Sequence, residues 1–322
     1  MRKRGSEKET FRLFRFGSQF RKLSGYGKMS FRFRRMRPRR GMLLRWSLMK
    51  NAEMNQILTA AGVRPNRKLG QNFLIDANFL DWIVRESGAV PGANILEVGP
   101  GFGALTERML AEGATVTAVE FDHRIAEWLR QNLCPKGLTL IEGDACKVKL
   151  DEIYSGTDYK MVSNLPYSAG TVVVANLLDS PNPPEEMVIM LQKEVALRLA
   201  AEPGTHDYGA LSVRVQVLYE ATPLRIAPPE MFHPRPEVDS CVIRLKRLPD
   251  APSAAYRKKL SQVVRLAFGQ RRKKMIKQLT GLFGKEKIAE IYETVGLKED
   301  IRAERVTVPQ FRHLTDLLMA EH

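Results

Sequence analysis

Asn164, Leu165, Pro166 and Tyr167 stand together at the end of a short segment, 160–163, that reads as a strand. A side-chain amide, a proline-stiffened turn and an aromatic ring at a strand's C-terminal end make a rigid polar and stacking platform. A plain proline turn explains the set less well. Three further strand ends supply matching groups. The stretch Asn-Ile-Leu-Glu-Val-Gly-Pro-Gly-Phe-Gly at 94–103 runs from a short buried-looking strand into glycines at every second position, and 104–111 resumes with helix formers. Strand, glycine turn and helix open a nucleotide-binding βαβ unit, in which Gly99 and Gly101 let a ligand approach the backbone. Glu120 closes the β-branched run 115–119, 21 residues after Gly99, where an acid accepts hydrogen bonds from ribose hydroxyls. The run 138–141 ends in Glu142-Gly143-Asp144-Ala145. The glycine pattern is Gly-x-Gly-x-Gly, not the Gly-x-Gly-x-x-Gly of a dinucleotide fold.

The elements that must hold these groups follow an alternating α/β pattern from 94 to 245. A fifth strand is expected at 187–191 and a helix at 193–201. A loop at 203–209 follows, and the segments 210–219 and 238–245 are expected to close the sheet. Between these two lies Phe232-His233-Pro234-Arg235-Pro236-Glu237-Val238-Asp239-Ser240, whose prolines can hold Phe232 out toward the site. Upstream, 52–61 reads as a helix. Lys68 to Asp76, which contains Gln71, Asn72 and Leu74, precedes another helix at 78–87. It is open whether this segment is a helix cap with a hydrophobic staple or a lid over a ligand. After a linker at 249–253, helices are expected at 256–268, 273–283, 287–295 and 308–321. The chain thus divides into a basic arm (1–48), a nucleotide-binding domain (49–248) and a helical domain (249–322).

Charge is unevenly placed. The 322 residues carry a formal net charge of +15, yet 17 of the 51 Lys and Arg residues and only two acids fall in 1–50. The remainder balances at 34 against 34. Residues 246–285 nevertheless hold twelve basic residues and one acid, and Arg271-Arg272-Lys273-Lys274 is expected to contact RNA phosphates. The arm alternates Arg with Phe and reads as disordered. Three origins are open for it: a start codon placed too early, an organellar transit peptide, or an RNA-binding arm. Cys134, Cys146 and Cys241 have no metal spacing, and five histidines form no His-x-x-x-His pair. A reducing, cytoplasmic setting is expected, with no metal and no membrane span.

Taken together, these residues resemble the KsgA-type ribosomal RNA small-subunit adenine dimethyltransferases, from about Arg67 to the C-terminus. The likeness rests on Leu69-Gly70-Gln71-Asn72-Phe73-Leu74, Glu97-Val98-Gly99-Pro100-Gly101, Glu120 with Asp122, Gly143-Asp144-Ala145, Asn164-Leu165-Pro166-Tyr167 and Phe232-x-Pro-x-Pro-x-Val-x-Ser240. It implies a Rossmann-like S-adenosylmethionine (SAM)-dependent methyltransferase sheet, mostly parallel with an antiparallel edge, and a smaller helical domain. It implies dimethylation of two adjacent adenines near the 3′ end of small-subunit rRNA. The implied partner is that rRNA in a pre-assembled 30S particle, bound by a monomer. Asn164 and the Leu165 carbonyl would accept from the adenine amine, with Pro166 fixing the turn. Tyr167 would stack on one face of the base, with Phe232 packed nearby. The cofactor would lie on Gln71, Asn72, Leu74, Gly99, Gly101, Glu120, Asp144, Ala145 and Asn164. Large-subunit adenine methylases and organellar transcription or assembly factors share much of the pattern. A nicotinamide-dependent dehydrogenase explains neither Asn-Leu-Pro-Tyr nor the basic helical tail.

Overall fold

The structure, a computed structural model, describes residues 51–66, 69–270 and 273–320. The expectations for the arm 1–48 and for Arg271 and Arg272 lie outside them. Helix α1 (Asn51–Ala60) and a two-residue strand β1 (Phe73–Leu74) lead into α2 (Ala77–Ser87). Strands and helices then alternate: β2 (Asn94–Val98), α3 (Ala104–Ala111), β3 (Thr115–Glu120), α4 (His123–Asn132), β4 (Thr139–Glu142), β5 (Lys160–Asn164), α5 (Gly170–Asp179), β6 (Glu186–Gln192) and α6 (Lys193–Leu199). Next come α7 (Ala210–Leu218), β7 (Tyr219–Ala227), β8 (Phe232–His233) and β9 (Ser240–Arg247). Four helices follow: α8 (Ala254–Phe268), α9 (Met275–Phe283), α10 (Lys285–Val295) and α11 (Val308–Met319).

Seven strands form one sheet in the order β4-β3-β2-β5-β6-β9-β7. The first five are parallel; β9 and β7 add antiparallel strands at one edge. The sheet is a mostly parallel, Rossmann-like α/β sheet. Ile95, Leu96 and Val98 are buried because helices cover both faces, which explains their unbroken apolar look. Chain order reverses about β2, with β3 on one side and β5 on the other, and such a switch point opens a crevice at the strands' C-terminal ends. Local chemistry fixes the helices beside it. Asp76 caps α2 by accepting from Phe79 N–H at 2.8 Å. Asp122 caps α4 by accepting from Arg124 and Ile125 N–H.

The segment 210–219, expected to be a strand, is mostly the helix α7. Its alternation of Leu211, Val213, Val215 and Val217 with polar residues mimics a strand. The cause is burial on two sides: Val215 and Leu218 enter the sheet core, while Val213 and Val217 enter the core of the C-terminal helices. The polar positions are held by main chain, with Ser212 Oγ donating to Arg198 O at 2.6 Å and Gln216 Nε2 to Leu199 O and Ala201 O. The true edge strand is β7, whose exposed Glu220 and Arg225 hide it from an apolar pattern.

Three arginines from α7 and α8 grip the C-terminal end of α5. Buried Arg257 donates to the carbonyls of Leu178, Ser180 and Pro252. Arg214 pairs with Asp179 at 2.8 Å and Arg265 with the same carboxylate at 3.4 Å. Cations there also suit the negative end of the helix dipole. Part of the basic run 246–285 therefore serves the fold rather than a phosphate.

Candidate active site

A cavity of about 340 Å³ opens at the C-terminal ends of β2, β3, β4 and β5. Of the residues expected to bind or react, Gln71, Asn72, Leu74, Gly99, Gly101, Glu120, Asp144, Ala145, Asn164, Leu165, Pro166 and Tyr167 all line it. Phe232 does not. It is buried at 3% exposure, paired with Leu74 across the small β1–β8 ladder, and the prolines of its loop do not turn it outward. Lys273 and Lys274 are exposed at the start of α9, away from this lining.

On one side of the cavity sits a buried carboxylate. Glu120 ends β3 at 6% exposure, and burial pushes its carboxyl up to about 7. Main-chain hydrogen bonds from Asp122, Gly101 and Phe121 pull the other way, the first at 2.8 Å. Two groups here escape a sequence reading that looks only at strand ends. Glu97 lies within β2, 2% exposed, and accepts from Thr106 Oγ1 at 2.6 Å. Burial holds its carboxyl near 8, with Glu120 adding repulsion. Phe121 follows Glu120 and lines the cavity while 58% exposed, a large apolar ring facing water. That exposure, one residue beyond a ribose-type acid, is the signal for it. Asp144, at the end of β4, accepts from Cys146 N–H at 3.0 Å, which holds its carboxyl below the usual range.

The opposite wall is the Asn164–Tyr167 turn. Leu165 N–H donates to Met190 O at 3.1 Å, and the Pro166 carbonyl accepts from Ala169 and Gly170 N–H at 3.0 and 2.9 Å. Gly99 is pressed against this turn: a Cβ there would lie 2.8 Å from Pro166 Cγ, and its φ of +65° favours glycine as well. The strand-end glycine and the proline are therefore one packed unit. Residues 69–72 lie along the same turn. A Cβ on Gly70 would come within 2.8 Å of Tyr167 N, and Ser168 Oγ donates to Leu69 O at 3.0 Å. Asn164 Nδ2 donates to Asn72 O at 3.1 Å. Among the described residues no hydrogen bond uses Asn164 Oδ1 or the Leu165 carbonyl, so two acceptors remain for a ligand. On the other side Gln71 Nε2 donates to Asp122 Oδ2 at 3.1 Å. Residues 69–72 thus bridge the cavity between the ribose-type loop and the Asn-Leu-Pro-Tyr turn. Asp76 caps α2, and residues 69–72 line the cavity.

Residues 62–319 match the family described as ribosomal RNA adenine dimethylase. The chain belongs to that family. It is 38% identical over 275 residues to ribosomal RNA small subunit methyltransferase A of Geobacillus kaustophilus, covering 82% of this chain and 94% of that one. It is 39% identical over 282 residues to the protein of the same name from Pelotomaculum thermopropionicum, covering 82% and 95%. Among solved structures it resembles a dimethyladenosine transferase from Plasmodium falciparum, with a TM-score of 0.64, 20% identity and 74% and 94% coverage. It also resembles the 23S rRNA methyltransferase ErmE, with a TM-score of 0.59, 24% identity and 77% and 99% coverage. These two likenesses show the fold.

The adenine dimethylases take S-adenosylmethionine as methyl donor. The cavity fits that group. Its one wall offers a buried carboxylate for hydroxyls and an exposed ring for a base. The other offers the uncommitted acceptors of Asn164 and Leu165. No cluster of His, Cys, Asp and Glu among the described residues could hold a metal ion. No helix among them is long and apolar enough to cross a membrane.

Proposed function

We propose that this dimethylase modifies the N6 amines of two adjacent adenines near the 3′ end of small-subunit rRNA. The observation that carries the reading is the pair of uncommitted acceptors, Asn164 Oδ1 and Leu165 O, on a turn that shares one cavity with Glu120. When bound, S-adenosylmethionine supplies a methyl group already activated by its sulfonium. The chain's own residues then have to position and polarise. Adenine must leave its stack to reach them. Its amine is a weak nucleophile because the lone pair is delocalised into the ring. Two acceptors on its two protons favour a tetrahedral nitrogen and aim the lone pair. Pro166 holds the turn, and Tyr167 stacks on the base. Asn164 and Leu165 stabilise the positive charge that develops on nitrogen, and its proton leaves to water. Glu120 holds the ribose hydroxyls, Asp144 the adenine amine of the donor, and Phe121 its ring. Gln71, Asn72 and Leu74 exclude water from above.

We assign RNA phosphate contact to the exposed Lys273 and Lys274, with Arg271 and Arg272 beside them in sequence, and treat 249–322 as the RNA-binding domain beside a catalytic domain at 49–248. The substrate is rRNA within a pre-assembled 30S particle. Three unpaired cysteines suit the cytoplasm. The test is incubation with tritiated S-adenosylmethionine and small subunits from a strain lacking this modification, followed by mapping of the label. Label on the paired adenines is expected, with naked rRNA a poorer substrate. Label on large-subunit rRNA instead, or on neither, would overturn the assignment.

A further inference from the structure

The loop between β8 and β9 touches the active-site wall at both of its ends. At the first, Phe232 pairs with Leu74, and Ile75 N–H donates to Met231 O at 2.9 Å, tying down the strand that follows residues 69–72. At the second, Ser240 opens β9 opposite Gln192 of β6 and shares a hydrogen bond with the Tyr167 hydroxyl. Ser240 has no exposed surface, so its hydroxyl needs a protein partner, and among the described residues Tyr167 provides its one side-chain bond. The main chain around Tyr167 is fixed by the Pro166 turn. That turn leaves two side-chain torsions of the ring free. A bond at the far end of the ring fixes the first, the swing of the ring about Cα–Cβ, because the hydroxyl oxygen lies on the axis of the second.

We propose that Ser240 is a positioning residue for methyl transfer, holding the Tyr167 ring at one swing about its Cα–Cβ bond and so fixing the place where the target adenine stacks. The inference rests on the reading of Tyr167 as the base platform. Methyl transfer needs the amine lone pair in line with the bond being broken, and a small misplacement of the base lowers the rate steeply. Ser240 touches neither base nor donor. Its effect reaches the reaction only through the tyrosine hydroxyl.

Four variants test this with undermethylated small subunits: Ser240→Ala, Ser240→Thr, Tyr167→Phe, and Ser240→Ala combined with Tyr167→Phe. Ser240→Ala and Tyr167→Phe should each lower kcat about tenfold, on the scale of a sub-ångström displacement of reacting groups. Donor affinity by calorimetry should stay unchanged, which also reports that the fold is intact. The combined variant should lose no more than either single one, because both remove the same bond. Ser240→Thr keeps the hydroxyl and should retain most of kcat. Full kcat in Ser240→Ala, additive losses, or a threonine no better than alanine would each overturn the proposal. If Ser240→Ala loses donor affinity, Tyr167→Phe decides alone, since it breaks the bond from the exposed side of the pair; full kcat there overturns it. Failure of the unaltered protein to methylate these subunits would instead count against the proposed function.

Discussion

Asn164 donates its side-chain amide to the main-chain carbonyl of Asn72 at 3.1 Å, across 92 residues of sequence. The bond fixes which end of the amide faces the cavity. With Nδ2 held by Asn72, Oδ1 is the end left to accept from the proposed amine. Asn164→Ala should therefore lose methyl transfer by about 100-fold or more, the scale for removing one preorganised polar group from a reacting centre. Donor binding should persist. Asn164→Asp is the sharper variant, because it keeps an acceptor but sets a carboxylate oxygen against the Asn72 carbonyl. It too should be nearly inactive. Tritium transfer at the wild-type rate by either variant would remove Asn164 from its role.

Glu120, if it holds the donor's ribose as proposed, should make donor binding depend on pH. Burial holds its carboxyl near 7, so it is largely protonated at pH 6 and ionised at pH 8. Hydroxyls donate best to the ionised form. Affinity should rise about tenfold between pH 6 and 8 and then level, with protons released on binding near pH 7. Glu120→Gln should flatten the profile, and Glu120→Ala should weaken binding by about 1.5–3 kcal/mol. Calorimetry at the two pH values decides; a flat wild-type profile counts against the assignment.

Glu97 links the same region to stability. Its carboxyl titrates near 8 in the fold, against an ordinary 4.5. Between those values the folded state holds more protons than the unfolded one, so stability falls as pH rises. Glu97→Gln removes the buried charge and keeps an acceptor for Thr106. Its Tm should match the wild type near pH 5 and exceed it by about 4 °C or more at pH 8.5. Thermal melts at both values test this, and an equal Tm at pH 8.5 would refute it.

Much of the fold and site is legible in the sequence because the parallel strands are short, apolar and end in chemistry. Val98 to Gly99 and Val119 to Glu120 each mark a strand's end by a change of residue type. Where burial has two sides the signal fails. Helix α7 buries valines against two cores and so alternates like a strand, whereas β7 lies at an edge and carries Glu220 and Arg225. Phe232 misleads for a related reason: its neighbouring prolines suggest a ring held outward, yet ladder pairing with Leu74 draws it inward. Glu97 hides inside a strand, where an acid looks like a polar interruption. The basic run 246–285 shows charge but not use, since only the fold reveals that Arg257 is buried.

That difference in use predicts opposite phenotypes for neighbours in one charge run. Lys273 and Lys274 are exposed, and each RNA phosphate they neutralise releases counterions. Replacing both with Glu should weaken binding to the small subunit and reduce the salt dependence of log K by about 1 for each phosphate no longer neutralised. Tm and donor affinity should not change. Arg257 instead satisfies the carbonyls of Leu178 and Ser180 at the end of α5 and of Pro252 just before α8. Arg257→Met keeps the bulk but orphans those carbonyls, at a cost of about 1–3 kcal/mol for each one left unpaired. Tm should fall by several degrees while the salt slope of the folded fraction stays at the wild-type value. Filter binding across a salt series, run beside thermal melts, separates the two effects. If Arg257→Met lowered the slope without lowering Tm, the residue would belong to the RNA surface and not to the junction beneath it.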